Sequence, residues 1–171
     1  MSINSLFQAA QSVQTFTDQP ILREHIMNLL DDAVWAPNHK LREPWRMVCA
    51  EGEVKQTIAA YIRYRDPALA SRVSQAPLCM IVTAEVNKDE HVASDDFAAV
   101  CCMIQNLALL LRANGLGMTW DLADYRQWTD MNTLAEIREH ERIVGILVIG
   151  YADQVEDAPG RSAIQDKVEV W

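Results

Sequence analysis

The groups in this chain that could carry chemistry are its cysteines, a cationic loop with a histidine, and isolated hydroxyl and guanidinium groups. Cys49, Cys79, Cys101 and Cys102 lie in apolar runs and lack the Cys-x-x-Cys or Cys-to-His spacing of a zinc site. They read as buried, reduced thiols. Cys101 and Cys102 would point about 100° apart on a helix, which disfavours a disulfide between them. No Ser-His-Asp or Cys-His arrangement for nucleophilic catalysis is present. The segment Asn38-His39-Lys40-Leu41-Arg42-Glu43-Pro44 gathers an imidazole and two cations. Taken alone, His39 is an exposed loop histidine, Ser12 a solvated or back-bonded helical hydroxyl, Gly115-Leu116-Gly117 a helix stop with a turn, and Trp120 a core aromatic.

The elements that must position these residues follow from apolar spacing. Ser2 to about Gln14 places Ile3, Leu6, Ala10 and Val13 on one helical stripe. A turn at Thr17-Asp18-Gln19-Pro20 follows. Leu22, Ile26, Leu29, Leu30 and Ala33 form a second stripe that Pro37 stops. Trp45 to Ala50 reads as a strand, Val54 to Tyr64 as a helix ending before Pro67, and Leu78 to Ala84 as an apolar strand opened by Pro77. Ser94-Asp95-Asp96 reads as the capped start of a helix that Asn114-Gly115 ends. From Phe97 to Leu111 only Gln105 and Asn106 are not apolar. That helix is shorter than the roughly 20 uninterrupted apolar residues of a membrane span, and a helix apolar on every face must be covered on every face. A homodimer with this helix at its centre is the expectation. Met118 to Trp120 reads as a strand, Asn132 to His140 as a capped helix, Ile143 to Ile149 as a buried strand, and Val168 to Trp171 as an edge strand that pairs with its own sheet or with a partner.

The chain has 171 residues, half of them hydrophobic, which suits one domain over residues 1–171. With 15 Lys+Arg against 24 Asp+Glu the formal net charge is −9. That argues against nucleic acid or an anionic membrane as the main partner. Any anionic ligand must be held by a local pocket. The N-terminus lacks the basic and apolar regions of a secretory signal, so the cytoplasm is the expected compartment.

In order and spacing these signals resemble the nitroreductase family of FMN-dependent oxidoreductases, in particular its small single-domain subgroup. The resemblance rests on Ser12-x-x-x-Phe16 with Pro20, on Ala36-Pro37-Asn38-His39-Lys40-x-x-x-Pro44-Trp45, on the central apolar helix, on Gly115-Leu116-Gly117-x-x-Trp120, and on Gly150-Tyr151. It implies an α+β fold with an antiparallel-rich sheet flanked by helices. It also implies an interlocked homodimer with FMN at the interface, and residues 152–171 packing on the partner. The activity implied is ping-pong transfer of reducing equivalents from NAD(P)H to a nitroaromatic, quinone or similar small acceptor. The cofactor carries that chemistry, so a protein nucleophile is not required.

Carried over by position, the resemblance assigns FMN contacts to Ala10, Gln11, Ser12, Gln14, Trp35, His39, Trp120, Asp121, Leu122 and Arg161. Several depart from the family pattern. The family has basic residues before Ser12 and two residues after it, where this chain has Ala10-Gln11 and Gln14. Trp35 stands where the subgroup often has Arg. Asp121-Leu122-Ala123 replaces a basic residue followed by Ser/Thr-Gly. Lys40 and Arg42 could supply charge, and Arg161 in Pro159-Gly160-Arg161 resembles the basic residue at the flavin phosphate. The missing bases keep a second function open, a dimer of the same fold that binds small molecules or partners without catalysis. A heme- or flavin-degrading specialist on the fold is a third.

Overall fold

The computed structural model describes residues 6–7, 13–122, 128–153 and 160–171. Helix α1 spans Arg23–Ala33 and buries Ile26, Leu29, Leu30 and Ala33, the predicted stripe without Leu22, which stands outside the helix as its extended N-cap and is exposed. A 3-10 turn at His39–Leu41 leads into strand β1, Trp45–Ala50. Helices α2 (Gly52–Ile62) and α3 (Pro67–Gln75) follow. Pro67 does not simply end the preceding helix. Asp66 caps a new one, its carboxylate accepting the Leu69 N–H at 2.8 Å, with Pro67 at a first-turn position where no N–H is needed.

Strand β2, Leu78–Glu85, and helix α4, Glu90–Ala113, form the centre. The expected cap at Ser94 is corrected. Asp89 caps α4 by accepting the His91 and Val92 N–H groups, so the helix begins earlier, and Asp96 is buried in its second turn. Its end is as expected: Gly115 has φ +78°, and the Gly115 and Leu116 N–H groups bond the Arg112 and Leu111 carbonyls, a Schellman closure that favours glycine. At 24 residues α4 is long and apolar enough to cross a membrane by composition. It lies instead along the sheet, with Val100, Met103, Ile104, Leu107 and Leu111 in the core. Asn106, one of its two polar interruptions, donates to the Ala33 carbonyl at the end of α1 (3.2 Å).

Strand β3 (Gly117–Asp121), helix α5 (Thr129–Leu134) and strand β4 (Glu141–Gly150) complete the regular elements. The helix expected over Asn132 to His140 starts and stops earlier, ending where Glu136 turns left-handed at φ 49°. The sheet order is β1-β2-β4-β3, every pair antiparallel. Between β2 and β4 the register jumps from Val82↔Gly145 to Thr83↔Ile143, leaving Val144 as the extra residue of a bulge.

Alternation splits the core. Met80, Val82, Ala84, Leu147 and Ile149 face α1 and α4. Cys79, Ile81, Ile146 and Val148 face the other way, in a cluster with Ile58, Ile62, Leu69, Val73, Val13, Phe16 and Met131. The result is the α+β arrangement expected, three layers deep. The terminal edge strand is not formed within the chain. Val168 to Trp171 lie outside any strand, with Val170 and Trp171 almost fully exposed, after a 3-10 turn at Ile164–Lys167. Of the thiols, Cys79 is buried, and desolvation pushes its pKa up to about 12. Cys49 and Cys102 are exposed, on an edge strand and on the outer side of α4, which corrects their expected burial.

Candidate functional site

The predicted residues fall on two groups of elements. The first is built where the N-terminal segment meets β3. Val13 donates its N–H to the Met118 carbonyl (3.3 Å) and its carbonyl accepts the Thr119 hydroxyl. Gly117 leaves room for Val13, whose Cγ2 lies 2.3 Å from where a Cβ would stand. The chain continues through Phe16, bridged to Ala152, with the Thr17 N–H on the Tyr151 carbonyl at 2.9 Å. Gln14 is therefore fixed beside the strand that carries Trp120 and Asp121, with Leu122 exposed just beyond it.

Trp120 packs partly into the core over Gly145, where an added Cβ would stand 2.2 Å from Nε1. Its indole N–H is buried and has no acceptor among the described residues. A buried donor left unpaired costs roughly 1–3 kcal/mol, so this donor is suited to an acceptor on a ligand. Ala10, Gln11 and Ser12 lie outside the described residues. Arg161 is exposed in the tail.

The second group is the loop after α1. Trp35 is 87% exposed and His39 is exposed in the 3-10 turn. The loop has an unusual backbone: Lys40, Leu41 and Glu43 all take positive φ, at 54°, 51° and 47°. Each such non-glycine residue costs about 1–2 kcal/mol, so neighbouring interactions must hold the shape. The Asn38 side chain accepts the Glu43 N–H at 3.0 Å and donates to the Ala36 carbonyl at 3.2 Å. Arg42 forms a two-pronged ion pair with the buried Asp96 of α4, Nε to Oδ1 at 3.0 Å and Nη2 to Oδ2 at 2.8 Å. The hydrogen bond to Asp96 holds the Arg42 pKa above its ordinary value. Pro37, Asn38 and His39 then line a shallow cavity of about 400 Å³ against Asp95, Ala98, Ala99 and Cys102.

From sequence, Asp96 is one of two carboxylates at a helix start and Arg42 a loop charge beside His39. Their pairing joins positions 54 residues apart, a separation no local pattern encodes. Asp96→Asn is expected to leave the sheet intact and release the loop, with backbone amides of residues 39–43 exchanging about tenfold faster. Hydrogen exchange read by mass spectrometry checks it, and unchanged rates there would show that the loop holds itself.

The fold is a helix-flanked antiparallel sheet with an exposed tryptophan–histidine loop and a separate tryptophan patch at β3. The nitroreductase family's sequence profile matches residues 8–65 and 59–151, and the chain belongs to that family of oxidoreductases. It is 26% identical over 178 residues, covering 96% of this chain and 92% of the other, to the Bacillus subtilis protein named "Putative NAD(P)H nitroreductase YfhC". The crystal structure of a nitroreductase-like family protein from Bacillus cereus superposes with a TM-score of 0.90 at 32% identity, over 100% of this chain and 96% of that one. An FMN-dependent nitroreductase from Clostridium difficile superposes at 0.82 and 18% identity over 98% of both chains, a likeness of fold alone.

Proposed function

We propose that this chain is a cytoplasmic, homodimeric FMN-dependent oxidoreductase that passes reducing equivalents from NAD(P)H to a nitroaromatic, quinone or similar small acceptor in a ping-pong cycle. The observation that carries the reading is the division of the candidate residues between two half-sites. Trp120 on β3 presents a buried N–H with no acceptor among the described residues, while Trp35 and His39 stand exposed on a clamped loop at the outer side of α4. Two copies related by a two-fold axis can bring one half-site of each chain to the other. The accessible surface favours such an assembly. It is 10786 Å², against about 8,500 Å² for a compact monomer of 19.3 kDa.

Bound FMN supplies hydride acceptance and release at its ring. The chain's own residues orient and shield it. Trp120 offers a wall and a donor, residues 13–14 and 120–122 offer an edge, and the partner's loop closes the opposite side. The tail from residue 152 carries Arg161 toward the phosphate. The acceptor slot lies where the half-sites meet.

The second reading, a dimer of this fold without catalysis, is favoured by Gln14 and Ala10 standing where the family has bases. Absorbance of the purified protein separates the two. A flavin spectrum near one FMN per chain, bleached by NADH or NADPH and restored by a quinone, is the expected result. A colourless protein that stays so with added FMN would leave the non-catalytic reading.

A further inference from the structure

The face of the sheet that carries the Trp120 indole also carries a guanidinium with a buried, unpaired donor. Val82 and Ala84 of β2 lie in the core cluster under α1 and α4, and their partners across the ladder are Gly145 and Arg142 of β4. Gly145 and Arg142 therefore point to that same face. Three positions apart, they would stand on opposite faces of a regular strand, and the extra residue of the bulge at Val144 brings them to one. Trp120 packs against this cluster and crosses over Gly145.

Arg142 is held on this face but not neutralised. Its guanidinium lies 4.7 Å from the centre of the Phe97 ring on α4, and Nη2 donates to the Ala93 carbonyl at 3.2 Å. Its Nε is buried and has no acceptor among the described residues. Among those residues no carboxylate lies within ion-pair reach of Arg142, whereas Arg42, Arg46 and Arg138 each have one. The nearest carboxylates in sequence are already taken. Glu141, the preceding residue, receives Arg46 on both oxygens, at 2.7 and 2.6 Å, and Asp96, next to Phe97, receives Arg42 on both. A half-buried cation without a counter-ion is costly unless an anion arrives. Phe97 and Arg142 are each only partly buried, so one can reach them.

We infer that Arg142 binds an acid group on the electron acceptor, so that this protein selects aromatic acceptors bearing a carboxylate. This rests on the proposed function, which sets the flavin ring against Trp120. On the same face, Phe97 offers a surface for an acceptor's ring and Arg142 a partner for its carboxylate. A neutral quinone or nitroaromatic would leave the cation unpaired, whereas a carboxylate presents two oxygens to the planar guanidinium. In a chain of net charge −9 such a fixed cation is also what admits an anionic substrate. The Phe97 and Ala93 contacts set the guanidinium in place beforehand, which lowers the ordering cost of binding.

The test uses matched pairs of ligands. The flavin-loaded parent is given 4-nitrobenzoate or 4-nitrobenzamide as acceptor, and the oxidised protein is titrated with benzoate or benzamide by calorimetry, which needs no turnover. The acid should be favoured over the amide by about 10- to 150-fold in both kcat/KM and Kd, the worth of one charge-assisted hydrogen bond. Arg142→Gln should bring both ratios to about one, and Arg142→Lys, which keeps the charge but not the fork, should fall between. Thermal unfolding controls for folding. A parent ratio near one overturns the inference without any variant. So does a preference for the acid that survives Arg142→Gln, including the case in which that variant weakens acid and amide equally, which makes Arg142 a structural contact of α4. If Arg142→Gln does not fold, Arg142→Lys decides by the same ratio, and if neither folds the parent ratio decides alone. A parent that binds no FMN, or that reduces neither nitro compound, removes the proposed function itself, whereas a flavin-loaded parent that reduces both alike removes only this inference.

Discussion

Leu109→Glu is expected to abolish the dimer. Along α4 the residues turned away from the sheet are Ala98, Cys102, Gln105 and Leu109, of which the first three are exposed and Leu109 is half-exposed in the single chain. The stripe is small and nearly uncharged, suited to helix-on-helix contact across a two-fold axis, where each residue appears twice. A carboxylate buried without a partner costs about 3–5 kcal/mol, and symmetry doubles it. An added cost of about 6–10 kcal/mol weakens association by roughly four to seven powers of ten at 1.4 kcal/mol per decade. Sedimentation of the parent should give twice the chain mass at micromolar concentration. The variant should run as a monomer or aggregate through the exposed stripe, and it should bind no flavin if, as proposed, each site is shared between Trp35 and His39 of one chain and Trp120 of the other. A parent that sediments as a folded monomer would refute the shared site.

The sheet was legible because its strands carry strong local signals. Trp45 to Ala50 is bounded by Pro44 and Glu51-Gly52, and Leu78 to Ala84 follows Pro77 as a run apolar except for Thr83, the mark of a strand buried on both faces; the first occurs as read and the second runs one residue further, to Glu85. The α1 stripe and the Asn114-Gly115 stop likewise depend only on neighbours in sequence. The misses share a cause. Asp66-Pro67 starts a helix, but a proline is equally the signal that ends one, so α3 is hidden behind the stop it also supplies. Ser94-Asp95-Asp96 resembled a cap, yet the Asp89 carboxylate had already capped the helix, and Asp96 was committed to Arg42 across the fold. Val168 to Trp171 alternate like a strand, but alternation supplies no partner edge, and β1 and β3 leave this one unfilled within the chain. The candidate site was legible as loop and strand positions from motif order alone. Which groups meet there depends on contacts such as Gln14 with Arg72, which exist only once β3, α3 and the N-terminal segment are packed.

Arg161→Ala is expected to raise the FMN dissociation constant by about 10- to 150-fold, the equivalent of one charge-assisted hydrogen bond to a phosphate. The reasoning begins with charge. A phosphate dianion entering a chain of net charge −9 requires fixed cations close by, and between Pro159 and the final Trp171 only Arg161 and Lys167 are basic. Arg161 stands next to Gly160 in an exposed stretch outside regular structure, where the backbone can approach a ligand closely. Lys167 ends a 3-10 turn and is a point charge without the planar fork that grips two phosphate oxygens at once. Residues 160–171 lie outside the sheet, and the substitution should leave the flavin-free unfolding temperature and the dimer mass unchanged. Riboflavin, which lacks the phosphate, separates the roles: it should bind parent and variant alike. Equal weakening of both ligands would make Arg161 a support for the tail, and weakening of neither would move the phosphate elsewhere.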